Sequence, residues 1–403
     1  MMHTAIVPII TPVDGTSRLV SSCALSVGSR KRRNQQILLA SLLCVLAGGA
    51  QARTWVVEED GSGDAPTIQA GIDSAATGDI VDVGPGVYYE TVFLTGGENI
   101  HLRGRLGAAS TAIDGEFKRG VLQMDAGIVE GFTLRNGVGQ HGPGLSVGQA
   151  TVVTTPIVRN NIIENNRAAL YPDCCNGGGL ANFAVGTRIE GNVIRNNQVE
   201  GVGGGIYDAG DNTVIENNLI AFNEAYINSG GIASANGIIV GNRIVGNFAR
   251  FTSGGAELDG CAEFRNNTVL GNSTANGFDN AAGVRLNEAC GVVVGNIIAQ
   301  NRGGGHGIGL SAAPSSTVRC NDLWENDINA QPGLADPTNF SADPLFCAVD
   351  PLGSLNFLLR SNSPCAPGNA PSGTCGLVGA APVGCGTVSV VHGRWGDVKQ
   401  LFR

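Results

Sequence analysis

Two carboxylates and a guanidinium are the side chains with the best types and spacing for chemistry: Glu257, Asp259 and Arg285. Glu257 and Arg285 each lie two residues after a glycine in a phrase that recurs along the chain. If successive phrases stack, all three side chains share one face of two neighbouring units. A general acid and base with a charged partner would have this composition. A surface ion pair, usually worth less than ~1 kcal/mol, would have it too, so both interpretations stay open.

Rings near the same face form a second set of candidates, for binding substrate. Tyr207 occupies the position of Glu257 two phrases earlier, and Tyr226 and Phe251 lie in loops of variable length. His306 stands between two glycines just before another apolar run. Insertions on one edge of a repeat array usually mark its binding side, so we predict that these four residues contact substrate. The alternative is that the loop rings cover the bases of their loops.

A repeat positions all of these candidates. Each of seven copies contains an Asn, a short apolar run and a second Asn five residues after the first. The intervals between copies are 24 to 31 residues, and a period of this size indicates stacked structural units. The first Asn of each copy is Asn161, Asn192, Asn218, Asn242, Asn267, Asn296 or Asn321.

The repeat unit has room for two or three short strands and none for a ten-residue helix. Alternating residues after each Gly-Gly phrase predict strands, and Asn and Gly readily adopt the left-handed conformation that corners need. We therefore predict an all-β fold, a parallel β-helix in which equivalent residues stack about 4.8 Å apart. The repeated Asn residues are expected to form two ladders of amides bonded from coil to coil.

Alternation also assigns side chains to the interior and the surface. Arg243 falls in the first predicted inward row, where the pattern does not explain it. That row contains Ile162, Val193, Leu219, Thr268 and Ile297. The second inward row contains Leu180, Ile206, Ile232, Ala256, Val284 and Ile308. The outward row beside it contains Ala181, Tyr207, Ala233, Glu257, Arg285 and Gly309.

The composition suits a solenoid with a thin aliphatic core. Gly accounts for 61 of 403 residues, aromatic residues for only 5%, and charged residues for 15%. A net charge of −9 argues against nucleic acid and acidic membrane surfaces as partners.

The N-terminal region has the pattern of a secretory signal. Residues 30–33 are basic, residues 37–47 are apolar but too short to span a bilayer, and Ala50-Gln51-Ala52 resembles a cleavage site. We predict a signal with an N-terminal extension over residues 1–52, a β-helix over 53–330, a Cys-rich capping segment over 331–386 and a tail over 387–403. A short helix near Ile68 and Ile72 is predicted to cap the first coil.

Cysteine spacing predicts disulfides, as expected of a secreted chain. Cys261 and Cys290 each lie six residues before the Asn of their unit, so they should be stacked neighbours within reach of a bond. Cys347, Cys365, Cys375 and Cys385 cluster near the end of the chain, where three connectivities are possible. No Cys/His spacing resembles a zinc site.

From Asp60 to Val92 the chain spells DGSGDAPTIQAGIDSAATGDIVDVGPGVYYETV. This segment resembles the opening of pectin-lyase-like β-helix proteins, and the repeats resemble secreted bacterial right-handed parallel β-helix repeat proteins. The segment from Asn339 to Cys365 is similar to the closing segment of that group. The resemblance covers about residues 54 to 385 and implies a right-handed parallel β-helix. It does not imply one activity, because esterases, lyases, hydrolases, epimerases and non-catalytic adhesins share the fold.

The catalytic motifs of those enzymes are not matched. The methylesterase motifs Asp-Phe-Ile-Phe-Gly and Leu-Gly-Arg-Pro-Trp are absent from the sequence. The Gly-His-Gly phrase at His306 resembles polygalacturonase-type hydrolases, but Asp279-Asn280 stands where that family has Asp-Asp. Lyases use Lys or Arg as the base, often with calcium. Only Lys118 and Lys399 follow the signal, so Arg285 is the better candidate.

We therefore expect a secreted or cell-surface protein, monomeric and without a cofactor, that interacts with polysaccharide. The first alternative is a lyase or glycoside hydrolase acting on acidic polysaccharide, with calcium in the case of a lyase. The second is a structural or adhesive protein. Loops that wall a groove over Glu257 would favour the enzyme, whereas a flat face with Glu257 paired to Arg285 would favour binding or structure.

Overall fold

The computed structural model describes residues 52–148, 155–169, 175–275, 281–288, 290–303, 307–334, 336–347 and 357–385. These residues form a parallel β-helix, the fold that the repeat predicts. Each full coil runs through four strands, one in each of four parallel sheets, here numbered 1 to 4 in chain order. The predicted signal over residues 1–52 and the tail over 387–403 lie outside the described residues, apart from Ala52.

Sheets 1 and 2 hold eleven and ten strands. Sheet 1 contains Thr54–Val57, Ile80–Val83, His101–Gly104, Ile128–Glu130, Ile157–Arg159, Arg188–Glu190, Val214–Glu216, Ile238–Val240, Glu263–Arg265, Val292–Val294 and Thr317–Arg319. Sheet 2 contains Gly86–Tyr88, Thr111–Asp114, Thr133–Arg135, Ile162–Glu164, Val193–Arg195, Leu219–Ala221, Arg243–Val245, Thr268–Leu270, Ile297–Ala299 and Asp322–Trp324.

Sheets 3 and 4 hold six and ten strands. Sheet 3 contains Val138–Gly139, Arg167–Ala168, Gln198–Val199, Glu224–Ala225, Phe248–Ala249 and Ser273–Thr274. Sheet 4 contains Val92–Leu94, Leu122–Met124, Leu145–Val147, Leu180–Asn182, Ile206–Asp208, Ile232–Ser234, Ala256–Leu258, Ala281–Leu286, Ile308–Ala312 and Ile328–Ala330. A separate pair is formed by Leu359–Arg360 and Val383–Cys385.

The helix near the N-terminus spans Ile68–Ser74. The Thr67 hydroxyl accepts a hydrogen bond from the Ala70 N–H, which satisfies one of the free donors at the helix start. Ile68 and Ile72 are buried at the beginning of the core, where they cover the first coil as predicted.

The corners explain the repeated Asn phrase. Each corner opens with a residue in the left-handed region, such as Asn160 at φ 55° or Gly191 at φ 65°. The next residue is the repeated Asn, buried inside the coil. Its Nδ2 donates to the Oδ1 of the Asn one coil on, as Asn192 does to Asn218 at 3.0 Å. Both predicted ladders are present, and Asn339 and Asn329 extend them past the last repeat.

One predicted inward row was wrong by one residue. In sheet 2 the buried row contains Ile163, Ile194, Ile220, Ile244, Val269, Ile298 and Leu323. The predicted row of Ile162, Val193, Leu219, Thr268 and Ile297 faces outward. Because each corner Asn already points inward, alternation turns the following residue outward, and a shift of one residue exchanges the faces. Arg243 is therefore an outward residue, and burial lowers the pKa of its guanidinium.

The C-terminal segment covers this outward row. Phe357, Leu359 and Val378 pack on Leu219, Ile297 and their neighbours on the outside of sheet 2. This contact explains why apolar side chains on an outer face are buried. Most of the Cys-rich segment thus lies along the side of the solenoid, while Asn339 closes its end.

The cysteines pair differently from one of the predictions. Cys261 and Cys290 are bonded, joining adjacent coils with an S–S distance of 2.09 Å. Cys347 is bonded to Cys385 and Cys375 to Cys320. The expectation that Cys365 forms a disulfide was wrong: its thiol is buried and donates to the Asp322 carboxylate at 3.2 Å. Cys375 instead reaches Cys320 in the last coil.

Replacing both Cys261 and Cys290 with serine is expected to lower the free energy of unfolding by about 3 kcal/mol. The bond joins residues with a sequence separation of 29, and it reduces the conformational entropy of the unfolded chain. Both cysteines are exposed, so the serines leave no buried polar group unpaired. Urea unfolding of the double variant measures the effect, with Cys320–Cys375 and Cys347–Cys385 intact in both proteins. An unchanged unfolding midpoint would contradict the prediction.

Candidate functional site

The outer face of sheet 4 carries the predicted site residues. Strand pairing places Tyr207 beside Ala233, Ala233 beside Glu257, and Glu257 beside Arg285. The outward row is therefore as predicted, with one exception. Ser311, not Gly309, stands beside Arg285, because a bulge between Ala281 and Val284 shifts the register.

The structure brings Glu257, Asp259 and Arg285 together. Arg285 Nη1 lies 3.8 Å from Glu257 Oε1, and Ser229 donates a hydrogen bond to Glu257 Oε2 at 3.0 Å. The Nδ2 of Asn287 donates to both Glu257 Oε1, at 3.3 Å, and Asp259 Oδ1, at 2.7 Å. Each carboxylate of this acidic cluster thus has protein partners.

The acidic cluster has the geometry of a surface ion pair more than that of an inverting hydrolase. An inverting pair needs room for a water between the acid and the base. Here one nitrogen contacts both carboxylates, so Asn287 fills that room. The pairing of Glu257 with Arg285 is the contact expected of a binding or structural protein.

A groove with a cavity volume of about 650 Å³ lies elsewhere on sheet 4, three or more coils before Glu257. It forms where sheet 3 begins, because Val138–Gly139 is the first strand of that sheet and the preceding coils have none. Its lining residues are Thr91, Phe93, Gly120, Leu122, Gln123, Val138, Gly139, Gln140, His141, Gly142, Pro143, Ser146 and Phe183.

A row of three rings leads from this groove toward the acidic cluster. The rings of His141 and Phe183 are 5.8 Å apart in an edge-to-face arrangement, and those of Phe183 and Tyr207 are 5.9 Å apart. Phe93 adds a fourth ring in the groove, with 46% of its surface exposed. The Asn176 N–H donates to His141 Nδ1 at 3.2 Å, so the neutral ring carries its hydrogen on Nε2.

Tyr226 and Phe251 form a separate cluster. The guanidinium of Arg250 lies 4.5 Å from the Tyr226 ring centre and 5.7 Å from that of Phe251. Neither residue lines the groove, but the neighbouring Thr252 accepts a hydrogen bond from Arg285 at 3.3 Å. His306 lies outside the described residues, as do parts of the predicted walls at 170–174 and 276–280.

Sequence reasoning missed the groove residues Phe93, His141 and Phe183. Phe93 and Phe183 lie in outward positions of the sheet 4 pattern. His141 belongs to a Gly-rich phrase like that at His306. The sequence therefore contained a pattern that could have marked these residues. The early coils, however, lack the regular repeat needed to assign Phe93 and His141 to the same face as Tyr207.

Neither a metal site nor a membrane helix is found in the described part of the chain. No group of three or more His, Cys, Asp or Glu residues there is arranged to hold a metal ion. The calcium expected for a lyase stays a prediction of the resemblance. No described helix has the length and apolar character needed to cross a bilayer.

No family model matches the chain, and no curated protein matches it. Solved structures that are similar to it include the following two. The structure titled "Crystal structure of pectate lyase Pel9A" has a TM-score of 0.47 and 15% identity, over 83% of this chain and 96% of that one. A pectin methylesterase from carrot has a TM-score of 0.30 and 12% identity, over 72% and 88%. At these values neither likeness bears on activity.

Proposed function

We propose that this is a secreted protein that binds polysaccharide along the outer face of sheet 4. The ring row of His141, Phe183 and Tyr207 in and beside the groove carries the proposal. Ligand sites are typically concave and largely apolar, with a few polar groups that fix orientation. This groove fits that description. Its lining combines aromatic rings, Leu122 and Pro143 with the polar side chains of glutamine, serine and threonine residues.

The shape of the sheet supports a linear ligand. Strands of a sheet lie about 4.8 Å apart, so side chains of one row form a straight track along the solenoid axis. Phe93, Gln123, Ser146, Ala181 and Tyr207 are successive members of one such row. Ala181 is buried, so a polymer of rings lying along this track would contact the rings of Phe93 and Tyr207 and the polar side chains of Gln123 and Ser146.

Secretion is supported by the three disulfides among the described residues. Disulfides persist mainly in oxidising compartments such as the cell exterior. Cys261–Cys290 joins two adjacent coils, and Cys320–Cys375 joins the last coil to the C-terminal segment.

Incubation with a panel of acidic and neutral polysaccharides, with and without calcium, tests the proposal. We expect retarded migration of the protein in gels that contain a bound polysaccharide, with no new reducing ends and no unsaturated products. Products would favour the lyase or hydrolase at Glu257, Asp259 and Arg285, and Glu257→Gln should then abolish them. Absence of both retardation and products across the panel would contradict binding and favour the structural alternative.

A further inference from the structure

We propose, resting on the function proposed above, that the groove at Phe93 and Phe183 takes uncharged sugar residues and discriminates against acidic ones. Of the thirteen described residues that line it, none is Asp, Glu, Lys or Arg. Its polar groups are the amides of Gln123 and Gln140, the hydroxyls of Thr91 and Ser146, and the imidazole of His141.

These groups match sugar hydroxyls rather than carboxylates. A hydroxyl both donates and accepts hydrogen bonds, as do the amide and hydroxyl side chains of the groove. A carboxylate only accepts, and its recognition commonly uses the fork of an arginine. Moving an unpaired carboxylate into a largely apolar groove costs desolvation free energy, and this lining has no positively charged side chain to offset it.

Three charged groups close in sequence to the groove are paired with other groups. Lys118 and Arg119, next to the lining residue Gly120, both bind the Glu116 carboxylate. Glu90, next to Thr91, accepts hydrogen bonds from the backbone of Ile68 and Gln69, each at 3.0 Å. The overall charge of −9 further opposes a polyanion at low ionic strength.

The ring geometry is consistent with a neutral ligand. Phe93 exposes nearly half of its surface to solvent at the groove. The rings of His141 and Phe183 are arranged edge to face. An exposed ring offers an apolar platform of the size of a pyranose, with no charge requirement. The interaction thus depends on buried apolar area and hydroxyl hydrogen bonds.

Calorimetric titration with hexasaccharides of one length tests this inference. Neutral cello-, xylo- and mannohexaose are compared with hexagalacturonate, in EDTA and again in calcium. We expect at least one neutral hexasaccharide to bind about tenfold more tightly than hexagalacturonate, which corresponds to about 1.4 kcal/mol. Gln123→Arg should reverse part of this preference, because it adds a guanidinium to the lining, and Gln123→Ala serves as its uncharged control.

The outcomes separate this inference from the proposed function. Hexagalacturonate binding as tightly as every neutral hexasaccharide would overturn the inference and leave polysaccharide binding in place. Binding of none of the four at millimolar concentration would overturn both. A third outcome is a Gln123→Arg variant that keeps its melting temperature and binds hexagalacturonate no more tightly than the wild type does. That result would contradict the claim that the absence of charge in the lining sets the preference for neutral sugars.

Discussion

Replacing Asn242 with leucine is expected to lower the free energy of unfolding by roughly 3 to 5 kcal/mol. The Asn242 Oδ1 accepts from the N–H and the Nδ2 of Asn218, each at 3.0 Å. Its Nδ2 donates to Ile215 O at 2.8 Å and to Asn267 Oδ1 at 3.1 Å. Leucine removes all four bonds. Asn267 Oδ1 keeps the backbone N–H of residue 242, but the buried Asn218 N–H loses its acceptor, and each buried group left unpaired costs about 1–3 kcal/mol.

The control for this variant is Asn236→Leu, which changes an exposed Asn outside the ladders and should cost less than ~1 kcal/mol. Urea unfolding of both variants gives the comparison. Equal midpoints for the two would contradict a structural role for the ladder. We also expect Asn242→Leu to keep its polysaccharide affinity while folded, since the ladder does not line the groove.

Replacing Asp322 with asparagine is expected to stabilise the protein at pH 8 by up to roughly 4 kcal/mol more than at pH 4. Asp322 is buried under the C-terminal segment, where burial raises the pKa of its carboxyl to about 7. The Ala342 N–H and the Cys365 thiol donate to it, at 3.0 and 3.2 Å, and the charge of Asp343 raises its pKa further.

The sign follows from proton binding. The unfolded state loses the Asp322 proton near pH 4, whereas the folded state keeps it until about pH 7. Between these values the folded state binds more protons, so this group makes the protein less stable as the pH rises. Other carboxyls act oppositely, since Arg103 and Arg135 help to hold the pKa values of Asp82 and Asp114 low.

The difference between the wild type and Asp322→Asn isolates the contribution of Asp322. Unfolding free energies measured from pH 4 to pH 8 should diverge in favour of the variant and become parallel above about pH 7. Curves that stay parallel throughout would contradict a buried carboxyl that titrates near neutrality.

The fold could be predicted from the sequence because the same residues that turn the corners also fill the ladders. Asn161 and its equivalents are polar, regularly spaced and followed by strands, which is enough to define the coil. The inward row in sheet 2 was misassigned because the pattern does not show that the Asn itself points inward. Once that is known, Arg243 needs no special explanation.

Features that depend on irregular segments could not be predicted. The Cys320–Cys375 bond joins the last coil to a segment that returns along sheet 2, and no period relates the two. The bulge after Ala281 moved Ser311 into the outward row. The groove arises where sheet 3 begins, so it depends on a missing strand in the early coils, which no repeated residue marks.

The most direct test of the central claim is the affinity of Phe183→Ala for a polysaccharide that the wild type binds. We expect a loss of at least about tenfold, because a central aromatic contact commonly contributes more than 1 kcal/mol, with little change in melting temperature. Ile238→Ala, an exposed apolar residue on sheet 1, is the matched control and should bind like the wild type. Unchanged affinity in folded Phe183→Ala would contradict the account.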